Sequence, residues 1–152
     1  FVTTLNYKNG TELTKGLYTG YVKFSFKKAS GNSRLTPVLL NFTHGYGGGG
    51  PVTRGIIQTN RKAVYLPDAQ ICVSGHIHES WQISIPRERV NHLGNIYLDE
   101  QEHICLPTYK EEYLPGENYH RERGRPPKPL GAWWLRFYFE NQVIKHEFIR
   151  AK

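Results

Sequence analysis

The chain has 152 residues, 38% of them apolar and 22% charged, which suits one folded domain and excludes a disordered polar tail. No apolar run approaches the length of a membrane span, so no membrane partner is expected. The formal net charge of +7 favours anionic partners such as phosphates or nucleic acid.

Phe1-Val2-Thr3-Thr4-Leu5 has no basic stretch leading into an apolar core and does not read as a signal peptide. The sequence contains no Met and starts on a large residue, which predicts a processed product or part of a longer gene product. Val22, Phe24 and Phe26 alternate with Lys23, Ser25 and Lys27, the period-2 pattern of a half-buried strand. Gly31-Asn32-Ser33 reads as a turn, and Leu35 to Phe42 as a strand buried on both faces. Four consecutive glycines, Gly47 to Gly50, then hold a loop. Pro51 fits the first position of a helix that should end before Leu66-Pro67, with Val52, Ile56 and Val64 on one face.

Ala69 to Ser74 reads as a short buried strand, Gly75 to Glu79 as a loop, and Trp81 to Ile85 as the next strand. Asn95 to Leu98 and His103 to Leu106 read as two further strands. Glu111 to Lys128 is polar and proline-rich, the composition of a long loop. Ala132 to Glu140 and Val143 to Ile149 should form a hairpin around Asn141-Gln142. The fold class expected is therefore α+β, rich in strands, with one main helix. Cys72 and Cys105 lie in β-like stretches without C-x-x-C spacing, so buried free thiols in a reduced, cytoplasmic protein are expected.

The chemistry concentrates at Gly75-His76-Ile77-His78. Histidines at i and i+2 on extended backbone project to the same side, and neutral imidazole is a good ligand for zinc, manganese or iron. A pair of surface histidines in a loop is the plainer reading of those residues alone. His44-Gly45 strengthens the metal reading, because it ends another buried strand and is followed by a glycine loop and a helix. A strand–helix–strand crossover would set the two strands parallel and bring His44, His76 and His78 to one sheet edge.

The glycine loop Gly47, Gly48, Gly49 with Arg54 is either a phosphate cradle or a lid without contact to ligand. It is not a Walker A loop, since Pro51-Val52 stands where Lys-Ser/Thr is required. His120 to Lys128 is a basic run that either follows a nucleic-acid backbone or is simply solvated. Trp81, Trp133, Trp134, Phe137 and Phe139 read as core and interface aromatics, and His92, His103, His120 and His146 as ordinary histidines.

The order strand, His44-Gly45, glycine loop, helix, Asp68-Ala69 strand and Gly75-His76-Ile77-His78 resembles the second half of calcineurin-like metallophosphoesterases. Leu106-Pro107-Thr108-Tyr109 and Gly131-Ala132-Trp133-Trp134-Leu135-Arg136-Phe137 look like variants from phage and bacterial genomes. The resemblance spans roughly residues 36 to 80. It implies the β-rich half of an αββα sandwich, residues 1–152 forming a single domain from the C-terminal part of a longer metallophosphoesterase. It also implies two divalent ions (Mn, Zn or Fe), with His44 and His76 on one and His78 on the other, acting on a phosphate ester.

The family's D-x-H, G-D-x-x-D and G-N-H motifs do not occur here. Asp68 and Asp99 match neither acidic motif, and Gly31-Asn32 and Gly94-Asn95 are not followed by His. These residues alone are therefore expected to hold one ion or none, to be inactive in isolation, and to self-associate if truncated. The alternative is a non-catalytic basic binding module on the same scaffold, with nucleic acid as a candidate partner.

Overall fold

The structure, a computed structural model, describes residues 16–28, 34–48, 50, 52–116 and 119–151. Among them are seven strands and two helices. They are β1 (Thr19–Phe24), β2 (Val38–Thr43), α1 (Ile57–Tyr65), β3 (Ile71–Ser74), β4 (Trp81–Val90), β5 (Ile96–Cys105), α2 (Tyr119–Glu122), β6 (Ala132–Glu140) and β7 (Val143–Ala151). Five strands form a mixed sheet in the order β1-β2-β3-β5-β4, and β6-β7 form a second, two-stranded sheet. The expected turn at Gly31-Asn32-Ser33, with Pro51 and Gly49, lies outside the described residues.

β2, β3 and β5 run parallel at the centre, flanked by antiparallel β1 and β4. The expected crossover β2–α1–β3 is therefore present, with Leu40 opposite Ile71 and Thr43 opposite Ser74. Parallel strands need cover on both faces. Alternation puts Cys72, His103 and Cys105 on the α1 face, where the Lys62 ammonium acts on all three. Glu102 faces the other way, toward His146 of β7. On the hairpin side Phe137 of β6 packs against Phe24 and Phe26, ring centroids 4.7 and 5.2 Å apart. Among the described residues the buried apolar side chains are Val38, Ala69, Ile71, Cys72, Ile104 and Cys105, all from or beside the three central strands. Burying Ile71 and Ile104 contributes ~1.5–3 kcal/mol each.

The helix ends before Leu66-Pro67 as expected, but residues 52–56 are turns and α1 starts only at Ile57. Its inward face also differs from expectation. Val52 and Val64 are exposed, and Thr59 and Lys62 are the buried residues. The helix starts later than expected, so Val52 is not on it. The Lys62 stem lies along the sheet in the place an apolar residue was expected.

The stretch read as two strands is one strand, β5, ten residues long. Its polar middle is structural. Arg87 of β4 makes a two-pronged pair with Asp99, both contacts 2.9 Å, and also donates to the carbonyl of Pro67. Gln101 is fully buried and donates to the carbonyls of Leu66 and Ala69, both at 2.8 Å, while its oxygen accepts from His103 Nε2. These bonds satisfy the backbone between α1 and β3, a cost that burial would otherwise impose. Pro86 sits inside β4, which is tolerated because β4 is an edge strand. The hairpin turn is at Asn141 and Gln142, both with positive φ, as a two-residue turn between antiparallel strands requires. Trp134 and Phe139, read among the core and interface aromatics, are 69% and 50% exposed and so are not core residues.

Candidate metal centre and basic cleft

Because β2 and β3 are parallel and end together at Thr43 and Ser74, His44 and Gly75 leave the sheet side by side. Gly45 has φ +91°, and a Cβ there would sit 2.6 Å from the Gly75 carbonyl oxygen. A Cβ on Gly75 would in turn lie 3.2 Å from the His44 carbonyl oxygen. Two glycines are thus what allows the two loops to touch backbone to backbone. Tyr18 holds this arrangement from the β1 side: its carbonyl accepts from the His44 N–H at 2.8 Å, and its hydroxyl donates to the Gly45 carbonyl.

The result is that His44 Nε2 and His76 Nδ1 stand 3.1 Å apart. Two nitrogens sharing one ion at ~2.0–2.1 Å are separated by about 2.8–3.4 Å, for angles between roughly 90° and 109°. The observed separation lies in that range, and it is also a hydrogen-bond length when one ring carries a proton at this position. The donor set fits two imidazole ligands of a single ion. His76 and His78 have φ of +69° and +54°, a conformation that costs a side-chain-bearing residue about 1–3 kcal/mol. Two such residues in one tetrapeptide mark a segment whose surroundings impose its shape.

His78 turns toward a second group of side chains. Its Nδ1 lies 3.9 Å from Glu112 Oε2, and the same oxygen is 3.3 Å from His120 Nε2. Glu112 and His120 are both buried, and His120 Nδ1 is buried with no hydrogen-bond partner among the described residues. The Lys110 ammonium, hydrogen-bonded to Glu112, holds its carboxyl below the ordinary value, aided by the two histidines. Burial lowers the pKa of His78; Glu112 opposes this, and His120, His76 and Lys128 add to it. Among the described residues no set of three or more His, Cys, Asp or Glu side chains converges as a complete metal site.

His120 was read as ordinary and Glu112 as part of a long loop; both belong to this cluster. The signal that places them is topological. β5 is parallel to β3, so the segment after Cys105 leaves from the sheet edge that carries His44 and His76. That segment is closed at its base by a bridge between Thr108 and Leu130 and folds back over His78.

His76, His78, Gly47, Gly48 and Arg54 line one open cleft of ≈ 1210 Å³ together with residues of the basic loop, among them Arg125 and Lys128. Gly49 lies outside the described residues. Arg54 is not in the first helical turn, as expected, but in the turn before it, at φ +46°, where its carbonyl accepts from Trp81 Nε1 at 3.0 Å. Glu79 is paired with Lys128 across the cleft floor. Cys72 and Cys105 are buried free thiols, as the sequence led one to expect. Among the described residues no helix is long and apolar enough to cross a membrane.

No family model, curated protein or solved structure matches this chain.

Proposed function

We propose that the chain carries the imidazole part of a metallophosphoesterase centre and serves metal-dependent hydrolysis of phosphate esters. The observation that carries this reading is the 3.1 Å approach of His44 Nε2 to His76 Nδ1 at the shared carboxyl edge of two parallel strands. A mixed sheet with α1 on one face and a β-hairpin on the other is compatible with the β-rich half of an αββα sandwich. When bound, divalent ions (Mn, Zn or Fe) would polarise a phosphate and activate a water.

The chain's own residues do the following. His44 and His76 direct ring nitrogens toward each other, and glycine at positions 45 and 75 lets the two loops approach closely enough for this. His78 faces the adjoining space, with Glu112 beside it. Two ions roughly 3.5–4 Å apart repel and need bridging carboxylates. The pair His44–His76 has no Asp or Glu beside it among the described residues, so the pair is read as holding one ion at most. A second reading, a binding module without catalysis, is favoured by that same lack of a bridging carboxylate.

The test is calorimetric titration with Zn²⁺ and Mn²⁺. Binding of at most one equivalent is expected, weakened more than tenfold in His44→Ala and His76→Ala and unchanged in His92→Ala, whose side chain is outside the cleft. Hydrolysis of a generic phosphodiester by these residues alone should be negligible. Metal binding indifferent to both histidines would overturn the reading. Robust hydrolysis lost in His76→Ala would overturn the incomplete-site part of it.

A further inference from the structure

The cleft over His76 and His78 has an electrostatic asymmetry that a single phosphate does not account for. Its two carboxylates are already matched, Glu79 by Lys128 and Glu112 by Lys110. Three guanidinium groups on its wall, Arg54, Arg125 and Arg150, have no carboxylate partner among the described residues, and all three are exposed. They come from three separate parts of the chain: the turn before α1, the basic loop after α2, and the end of β7. An exposed arginine usually needs no explanation, but three converging unpaired on one concavity leave a positive field with no internal counter-charge. The volume, ≈ 1210 Å³, exceeds the ~300–1,000 Å³ usual for a small-molecule pocket. Tyr119 also lines the cleft, 44% exposed, with the Arg123 guanidinium 4.3 Å from its ring centroid. Unpaired arginines on the wall of an open cleft, with a part-exposed aromatic beside them, are the elements by which proteins hold unpaired strands.

We propose that the cleft binds single-stranded nucleic acid, its phosphates on Arg54, Arg125 and Arg150, so that one phosphodiester lies at His76 and His78. The placement at the histidines rests on the metallophosphoesterase reading; the strand binding does not. This gives the basic loop a role, since its Arg125 lines the cleft. It also narrows the substrate from phosphate esters in general to a polynucleotide phosphodiester.

The experiment is fluorescence anisotropy with a labelled oligothymidylate of about 15 residues, in EDTA so that the outcome is independent of any metal. Three phosphate contacts predict that log Ka falls against log salt with a slope of about −2, at about −0.7 per phosphate. Between 50 and 200 mM salt that is about a 20-fold loss. Arg54→Ala, Arg125→Ala and Arg150→Ala should each reduce the slope by about 0.7, and the triple lysine variant should keep it. Arg61→Ala, on α1 outside the cleft, should change nothing. A slope near zero, a slope unaffected by the three alanines, or tighter binding of a duplex of the same length would overturn the proposal. Strand binding without histidine-dependent metal binding would retain the cleft and overturn only the hydrolytic reading.

Discussion

Gly45→Ala isolates the contact on which the His44–His76 geometry depends. The substitution meets two obstacles. Its φ of +91° lies in the region L-residues avoid, costing about 1–2 kcal/mol. Its Cβ would also sit 2.6 Å from the Gly75 carbonyl oxygen, where ordinary contact begins at 3.4 Å, so the loops must part by about 0.8 Å. Overpacking of that kind adds about 1–3 kcal/mol. Gly47→Ala is the internal control: its φ is +83°, but nothing lies within 4 Å of the added Cβ, so it bears only the backbone cost. Urea unfolding should therefore place Gly45→Ala about 1–3 kcal/mol below Gly47→Ala, with m unchanged. Parting the loops by that amount also carries His44 Nε2 and His76 Nδ1 beyond the separation one ion can bridge. Zn²⁺ affinity should fall at least tenfold in Gly45→Ala and stay near wild type in Gly47→Ala. Equal stabilities for the two variants, with equal metal affinities, would refute the argument that the glycine crossing builds the site.

His103 makes acid stability measurable: burial, with Lys62 and Arg87 nearby, pushes its pKa from 6.5 down to about 4. The unfolded chain takes up that proton from about pH 6.5 and the native state only near pH 4, so stability is intact above pH 6.5 and falls as pH drops through this window. The total loss is roughly 3 kcal/mol, and His103→Gln, which keeps a donor for Gln101, should flatten this limb in urea titrations at pH 4 to 7. Burial raises the thiols of Cys72 and Cys105 to about 11, so both should resist iodoacetamide at pH 8 in the native state and react in urea; rapid native labelling would contradict their placement. Val52, Val64 and Trp134 are 90%, 80% and 69% exposed, so light scattering should detect self-association at high concentration, and a monodisperse monomer throughout would count against it.

How much of this was legible in the residues depends on the range of the interaction. The period-2 runs, the apolar strands, the Leu66-Pro67 stop and the Asn141-Gln142 turn are set by local sterics and by side-chain alternation, and each element lies close to where its residues indicate. The parallel pairing of β2 and β3 followed from connection length and the helical crossover, and with it the meeting of His44 and His76. β5 misled because Asp99 and Gln101 look like strand breakers, whereas Arg87 and the carbonyls of Leu66 and Ala69 supply their partners from elsewhere in the chain. The inward face of α1 misled for a related reason: a lysine stem fills apolar space when its head has somewhere to go, and that depends on the sheet beneath it.

The sequence by itself determined the chemistry on offer: imidazoles next to glycines at strand ends, and an excess of positive charge. Only the tertiary structure decided that Glu112, His120 and Arg125 join them. Local preferences do not specify which way a long loop returns. The parallel placement of β5 does, because it launches the loop from the same sheet edge that carries His44 and His76.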